Sequence, residues 1–284
     1  MHIDEANLSN LTKLWHMYGS QPVKVTRLPL LQANTHWPHR CWVDLKVQAD
    51  DNTAQLHGDV YDSRCLENIP NSSIFPLWPR INANNNLPLS KFEPHIIEQD
   101  LLDKHWYCSF EQTAMYLALP NDVRHLSQSR PGFRVKPVGT LEDLKKWVDI
   151  GSEAFAYQID LSVIKKLMKV DDIQLLLGWE NEQVIASGLL FKTGDIIGVH
   201  QVGVKQTFQG KGFAKCFMLD ILKACAQWQG KYVVLQASQA GKPLYEKLGF
   251  TSQFLIKNFL RVNVDTLNNG RHGTKALSQT LNDT

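Results

Sequence analysis

The feature that most constrains this 284-residue chain is the run from Val199 to Ala214, Val-His-Gln-Val-Gly-Val-Lys-Gln-Thr-Phe-Gln-Gly-Lys-Gly-Phe-Ala. A strand passes through a glycine turn and opens directly into a helix. The helix is read from Phe213 to Trp228, with Phe213, Phe217, Ile221, Ala224 and Trp228 along one apolar face and Gly230 ending it. Gly210 and Gly212 let backbone N–H groups approach an anion with no Cβ in the way. The N–H groups of the first helical turn have no intrahelical partner, and the helix dipole favours negative charge there. The turn therefore predicts a phosphate or pyrophosphate cradle, to which Lys211 and Lys215 add positive charge. It is not a nucleotide-hydrolase loop, because Phe213 follows Gly212 where that loop needs Lys and a magnesium-binding Ser or Thr. It is not a dinucleotide fingerprint either, since Lys215 stands where the third glycine belongs.

The elements around this turn alternate legibly. Strands are expected at Phe133–Val138, Gln174–Glu180, Gln183–Lys192, Ile196–Val204, Tyr232–Gln236 and Phe254–Val262. Helices are expected at Leu141–Ala156, capped by Thr140 with Glu142 and Asp143 in its first turn, and at Leu161–Val170 and Gln239–Leu248. Strands alternating with helices give an α+β or α/β layering in which helices cover the sheet.

The first part of the chain is compositionally different. Residues 1–131 hold ten of the 12 prolines but only two of the 17 glycines, and their charge is −3 (11 basic, 14 acidic) against +5 for the remainder. Such a step marks a domain boundary, placed between Pro120 and Pro137. The expected organisation is an N-terminal α+β domain over 1–130, a second domain over 131–264, and a polar, disordered tail over 265–284. Within the first domain a helix is expected at Asn7–Tyr18. Strands are expected at Val23–Leu28, Cys41–Val47, Ala54–Tyr61 and Thr113–Leu119, with a Pro/Asn-rich connection from Asn68 to Pro94. Trp37, Trp42, Trp78 and Trp106 are expected in the core.

Overall charge excludes two function classes. Thirty basic against 28 acidic residues leave +2, too balanced for a dedicated nucleic-acid or membrane-surface binder. No apolar run reaches the ~20 residues of a membrane span. Asp4 and Glu5 stand where a secretory leader needs basic charge. Five cysteines, odd in number and dispersed, show no zinc spacing, so free thiols, no metal and a reducing, cytoplasmic setting are expected.

Two motifs then converge. Gln209-x-x-Gly212-x-Ala214 fits the Q/R-x-x-G-x-G/A signature of the GNAT superfamily of acetyl-coenzyme A-dependent N-acyltransferases. One helix and one strand downstream, Ser238-Gln-Ala-Gly-Lys-Pro-Leu-Tyr-Glu-Lys-Leu-Gly249-Phe250 resembles that family's closing motif, a strand followed by a short helix ending L-Y-E-K-L-G-F. The resemblance covers residues 132–262.

It implies a GNAT fold, a mixed, mostly antiparallel sheet with helices on both faces, in which the strand of Val202 and Val204 splays from Tyr232–Gln236. Acetyl-coenzyme A would lie in the gap. Its pantetheine would bond the backbone around Val202, Gly203 and Val204, and its pyrophosphate the N–H groups of Gln209, Gly210, Lys211, Gly212, Phe213 and Ala214. Ser238 would contact it where relatives often carry Asn. The implied activity is direct attack of a primary amine, on a small molecule or peptide, on the thioester, with Tyr245 as the acid for the departing thiolate. His200 is the first candidate base, because a period of two puts it on the face of Val202 and Val204; Glu153 and Glu180 are further candidates. A silent coenzyme A-binding module, with the first half as a partner surface, is the competing function. The first half is compatible with a degenerate copy of the same fold, giving a tandem arrangement, or with an unrelated cap over the acceptor site.

Overall fold

Thr140 starts a helix for a local reason: its Oγ1 accepts the Asp143 N–H at 3.1 Å, and the chain leaves that helix through Ala156 in the left-handed conformation. The computed structural model describes residues 2–23, 31–44, 63–81, 94–120 and 130–262. In chain order the elements are α1 (Ile3–Met17), β1 (Ser20–Pro22), β2 (Leu31–Asn34), β3 (Cys41–Val43), β4 (Phe75–Leu77), α2 (Pro94–Asp103) and β5 (Trp106–Ala118). They continue as β6 (Phe133–Pro137), α3 (Leu141–Phe155), α4 (Leu161–Leu167), β7 (Ile173–Glu180), β8 (Gln183–Thr193), β9 (Ile196–Val204), α5 (Phe213–Gln227), β10 (Tyr232–Ser238), α6 (Lys242–Lys247) and β11 (Thr251–Arg261). Every element expected beyond residue 131 is present, with ends shifted by a few residues.

The described residues fall into two contact units. The first holds the chain up to Leu14 together with Thr113–Gln253; the second holds Trp15–Gln112 and the chain from Phe254. In the first unit the strands run in the order β5-β10-β9-β8-β7-β6, β5 contributing from Thr113 onward. Pairs β6–β7, β7–β8 and β8–β9 are antiparallel, and β9–β10 is parallel. The sheet is thus mixed and mostly antiparallel. Its main core lies under α5, where Phe213, Phe217, Ile221 and Cys225 meet Leu190, Ile197, Val199 and Val233. Helix α3 contributes Leu144, Trp147 and Val148 to the interior, and Trp147 Nε1 donates to Gly188 O at 2.9 Å.

The second unit has its own core of Leu31, Cys41, Leu66, Phe75, Ile97, Leu101, Trp106 and Phe259. Trp37, Trp42, Trp78 and Trp106 are all buried, as expected. Here the sequence is harder to read. Strands β1, β2 and β4 were not expected, being three or four residues long, too short to show a period. Helix α2 begins at Pro94, the residue read as the end of a connection, because proline suits a first helical position. Strand β5 starts seven residues before Thr113, its first half being only partly buried and so lacking clean alternation. The expected strand Ala54–Tyr61 and the tail 265–284 lie outside the described residues, as does all but Val23 of Val23–Leu28. Among the described residues no helix is long and apolar enough to cross a membrane.

Candidate functional site

Strands β9 and β10 are paired at only three positions, Tyr232 with Ile196, Val233 with Ile197 and Val234 with Gly198. Beyond them β9 runs on to Val204 and β10 to Ser238, so the two strands part into a fork. The main-chain groups facing that gap are set by the ladder to β8. Lys205 N–H donates to Ile185 O at 2.9 Å and Gly203 pairs with Ser187, which turns Val202 and Val204 toward the edge that β10 has left. A fork of this kind holds unspent backbone donors and acceptors in two rows, the arrangement an extended amide-bearing ligand can zip into.

Within β9 the register to β8 shifts between Ser187 and Leu189, and Gln201 has φ +52°. This is a β-bulge, with one extra residue in β9 that reverses the alternation. Before it, Ile197 and Val199 face the α5 core; after it, Val202 and Val204 do. The sequence reading that put His200 on the face of Val202 and Val204 is therefore corrected: an uninterrupted period of two does not survive the bulge. His200 points the other way, toward α1, where it is 7% exposed and its Nε2 lies 2.9 Å from Asn10 Oδ1. Burial lowers its pKa to about 4, against a smaller opposing effect of a hydrogen bond with Gln236. A buried, neutral imidazole engaged by two carboxamides is a poor base for a substrate in the fork.

The turn after β9 is built to leave amides free. Gln206–Phe208 form one short 3₁₀ turn, and Gln209 Nε2 donates back to Val204 O at 3.0 Å, tying the turn to the fork. Gly210 and Gly212 have φ of +71° and +82°, and Gly212 caps α5 with no side-chain bond to its first turn. Among the described residues the N–H groups of Gly210, Lys211, Gly212, Phe213 and Ala214 make no backbone hydrogen bond. A Cβ at either glycine would meet nothing within 4 Å among the described residues, so no neighbour crowds the turn at those two positions. Lys211 Nζ donates to Thr207 O at 2.7 Å, which keeps its ammonium on the turn.

One cation at this turn escaped the sequence reading. Arg130 donates from Nη1 to Lys211 O at 2.8 Å, and its Cζ stands 3.9 Å from the centroid of the Phe213 ring. Nothing in its local sequence, a serine-rich stretch before Pro131-Gly132, distinguishes it from a solvated linker residue.

On the other arm, Ser238 ends β10 and its Oγ accepts the Gly241 N–H at 3.1 Å, shaping the entry to α6. Tyr245, on α6, packs its ring edge-to-face with Phe250 at 5.7 Å. The residue keeps some exposure, but its surroundings desolvate the phenol and push its pKa up to about 12. Its hydroxyl makes no hydrogen bond among the described residues. Tyr245 thus holds its proton at neutral pH and has an unspent donor.

At the far end of β9, Glu153 Oε1 accepts the Gln206 N–H at 3.0 Å, so this carboxylate stands beside the turn. Glu180, at the end of β7, has a buried Oε2 with no hydrogen-bond partner among the described residues. The bulge residue Gln201 accepts the Tyr157 hydroxyl on its Oε1 at 3.0 Å; that pair also escaped sequence reading, since it exists only through the bulge. Among the described residues no group of three or more His, Cys, Asp or Glu is placed to hold a metal ion.

Residues 137–259 match the family model described as Acetyltransferase (GNAT) domain. No curated protein matches the chain. A GCN5-related N-acetyltransferase from Kribbella flavida is similar in structure, with TM-score 0.60 at 14% identity over 91% of this chain and 96% of that one. A GCN5-related N-acetyltransferase-like protein from Streptococcus suis gives 0.56 at 13% identity, over 89% and 99%. At these identities the likeness shows the fold alone. The family match supports acetyl transfer in general, and together with the fork and the turn it shows that the C-terminal half of the chain is GNAT-like.

Proposed function

We propose that this protein is an N-acetyltransferase that moves an acetyl group from acetyl-coenzyme A to a primary amine of a small molecule or peptide by direct attack. The observation that carries the reading is the parting of β9 and β10 beyond the Val234–Gly198 pair, directly before a turn with free amides. The residues present fit the cofactor. Val202 and Val204 offer main-chain partners along the fork, the N–H groups from Gly210 to Ala214 are left without backbone partners among the described residues, and Ser238 closes the β10 arm. Gly203, by contrast, pairs with Ser187, and the Gln209 N–H, expected in the cradle, is spent on Gln206 O at 3.2 Å. When bound, acetyl-coenzyme A supplies an activated acyl thioester and a thiolate leaving group.

The chain's residues then have separable jobs. The turn amides and the α5 dipole would hold the diphosphate, while the fork backbone would fix the thioester carbonyl and donate to its oxygen as negative charge develops there. The incoming amine would form the N–C bond as the C–S bond breaks. Tyr245 would donate its phenolic proton to the sulfur and take up the proton that the attacking nitrogen sheds as the amide forms; burial makes the phenol a weaker acid, and the same desolvation makes a thiolate more basic, as it does for Cys225, raised to about 12. The ammonium proton of the acceptor passes to Glu153, the carboxylate beside the turn, before attack.

The test is calorimetric titration with coenzyme A followed by thiol release from acetyl-coenzyme A across a panel of primary amines. Binding with turnover on any panel member supports the reading. Binding with no turnover on all of them would convert the assignment to a silent coenzyme A-binding module, and no binding would remove the cofactor site altogether.

A further inference from the structure

Helix α1 lies outside residues 137–259, the stretch matched by the family model, and it buries polar side chains beside apolar Ala6, Leu11 and Leu14. Asn7 and Asn10 are both fully buried, one helical turn apart on one side of the helix. Burying carboxamides is costly unless their donors and acceptors are used, and here they are. Asn7 Nδ2 donates to Met115 O at 3.1 Å and to Gln253 Oε1 at 2.5 Å, and its Oδ1 accepts from Gln236 Nε2 at 2.7 Å. Asn10 Nδ2 donates to Phe191 O and Thr193 Oγ1, each at 2.9 Å. With both hydrogens spent, Asn10 uses Oδ1 to accept from His200 Nε2 at 2.9 Å, which fixes the tautomer of the imidazole. His200 and Gln236 are joined to each other by a side-chain hydrogen bond as well.

The two carboxamides grip opposite arms of the fork. The last parallel pair is Val234 with Gly198, and Gln236 and His200 each stand two residues beyond it, the first same-facing positions after the strands part. Gly198 makes the room: a Cβ there would collide with Asn10 Oδ1 and His200 Nε2. Two arms tied to points one turn apart on a rigid helix have their separation set by that helix.

We propose that α1 is a spacer that fixes the opening of the β9–β10 fork, Asn7 holding the β10 arm through Gln236 and Asn10 holding the β9 arm through His200, and so fits the fork to the pantetheine arm of coenzyme A. This rests on the cofactor reading above. Asn7, Asn10, His200 and Gln236 are positioning residues, acting through the strands they hold.

The spacer affects the fork and not the phosphate turn, so two ligands separate its role from general stability. Coenzyme A uses both regions; 3′-phosphoadenosine 5′-diphosphate has the phosphates and no pantetheine. By calorimetry, Asn10→Leu and His200→Leu should each weaken coenzyme A about tenfold while changing the diphosphate by less than about twofold, and His200→Gln should recover most of the loss. Equal loss of both ligands, or loss of neither in folded variants, overturns the spacer. Should a leucine variant not fold, Asn10→Ser is read by the same split with the same two outcomes. Wild-type protein that binds neither ligand overturns the cofactor reading and the spacer with it, whereas wild-type binding without the split in the variants removes the spacer alone.

Discussion

On the α1 face of the fork, Asn7, Asn10, His200 and Gln236 use up one another's hydrogen-bonding capacity, and desolvation keeps His200 neutral. On the other side, the β8 ladder turns Val202 toward the parted edge, and the amides from Gly210 to Ala214 are left without backbone partners among the described residues. Both regions border the same two strands and both carry polar groups. The difference is whether those groups are spent. A closed network fixes strand position and resists charge; a row of unspent donors at a helix start is stabilised only by something that arrives. The most chemically suggestive side chain in the sequence, His200, belongs to the first kind, and its unremarkable neighbours Val202 and Val204 to the second.

The largest expected effect tests the closed side by pH. His200 titrates near 6.5 unfolded and is depressed to about 4 in the fold. Between those values the unfolded chain binds a proton that the native state refuses, so stability is full above about pH 6.5 and falls as pH drops toward 4. Lowering the imidazole from 6.5 to about 4 is worth about 3 kcal/mol. Urea unfolding at pH 7 and pH 4 should show that loss in the wild type and a smaller one in His200→Gln. Equal acid sensitivity in both would mean the imidazole is not held neutral, and the contrast between the two faces would break.

Tyr245 tests the open side. It keeps its proton at neutral pH, so removing only the hydroxyl should cost chemistry and leave binding alone. Tyr245→Phe should lower kcat about 100-fold, ~2.7 kcal/mol in the barrier, with the coenzyme A Kd within about twofold of wild type. Parallel loss of turnover and affinity would make the residue part of the cofactor site and not the acid.

How much of this was legible depended on whether a residue's role is local. The Gly210–Gly212 turn, the apolar face of α5 from Phe213 to Phe217 and Ile221, and the Thr140 cap are written in short-range spacing, and the structure places them as expected. The face of His200 was not legible, because one extra residue at Gln201 inverts alternation without any compositional trace. Helix α1 could be read as a helix but not as the partner of β9 and β10, since beside the small Ala6 the groups that tie it to those strands are Asn7 and Asn10, residues that a hydrophobic pattern scores as exposed. The same holds for the contact unit it joins: composition separates residues 1–131 from the rest, while the first 14 residues pack with the later ones.

Gly212 sharpens the comparison at the turn itself. Its φ of +82° excludes most side chains on conformational grounds, although a Cβ would touch nothing. Gly212→Ala therefore should strain the backbone by about 1–2 kcal/mol with no clash, withdrawing amides from their common aim. Coenzyme A affinity should fall about tenfold by calorimetry, with a drop of only a few degrees in Tm. Unchanged affinity would show that the amides are not the anion's partners.

The smallest effect is expected at Arg130. Its guanidinium braces the turn through Lys211 O and covers the Phe213 ring, while its remaining N–H groups stay available to an anion held there. Two contributions are then superposed, a geometric brace insensitive to salt and an exposed charge that salt screens. Arg130→Ala should weaken coenzyme A about fivefold at low ionic strength, and the gap to wild type should shrink to about twofold at 1 M salt. Lysine cannot bond the carbonyl and lie flat on the ring at once, so Arg130→Lys should restore the salt-sensitive part only. A gap that does not change with salt would assign Arg130 wholly to bracing, leaving the helix start and the turn amides as the source of attraction for the diphosphate.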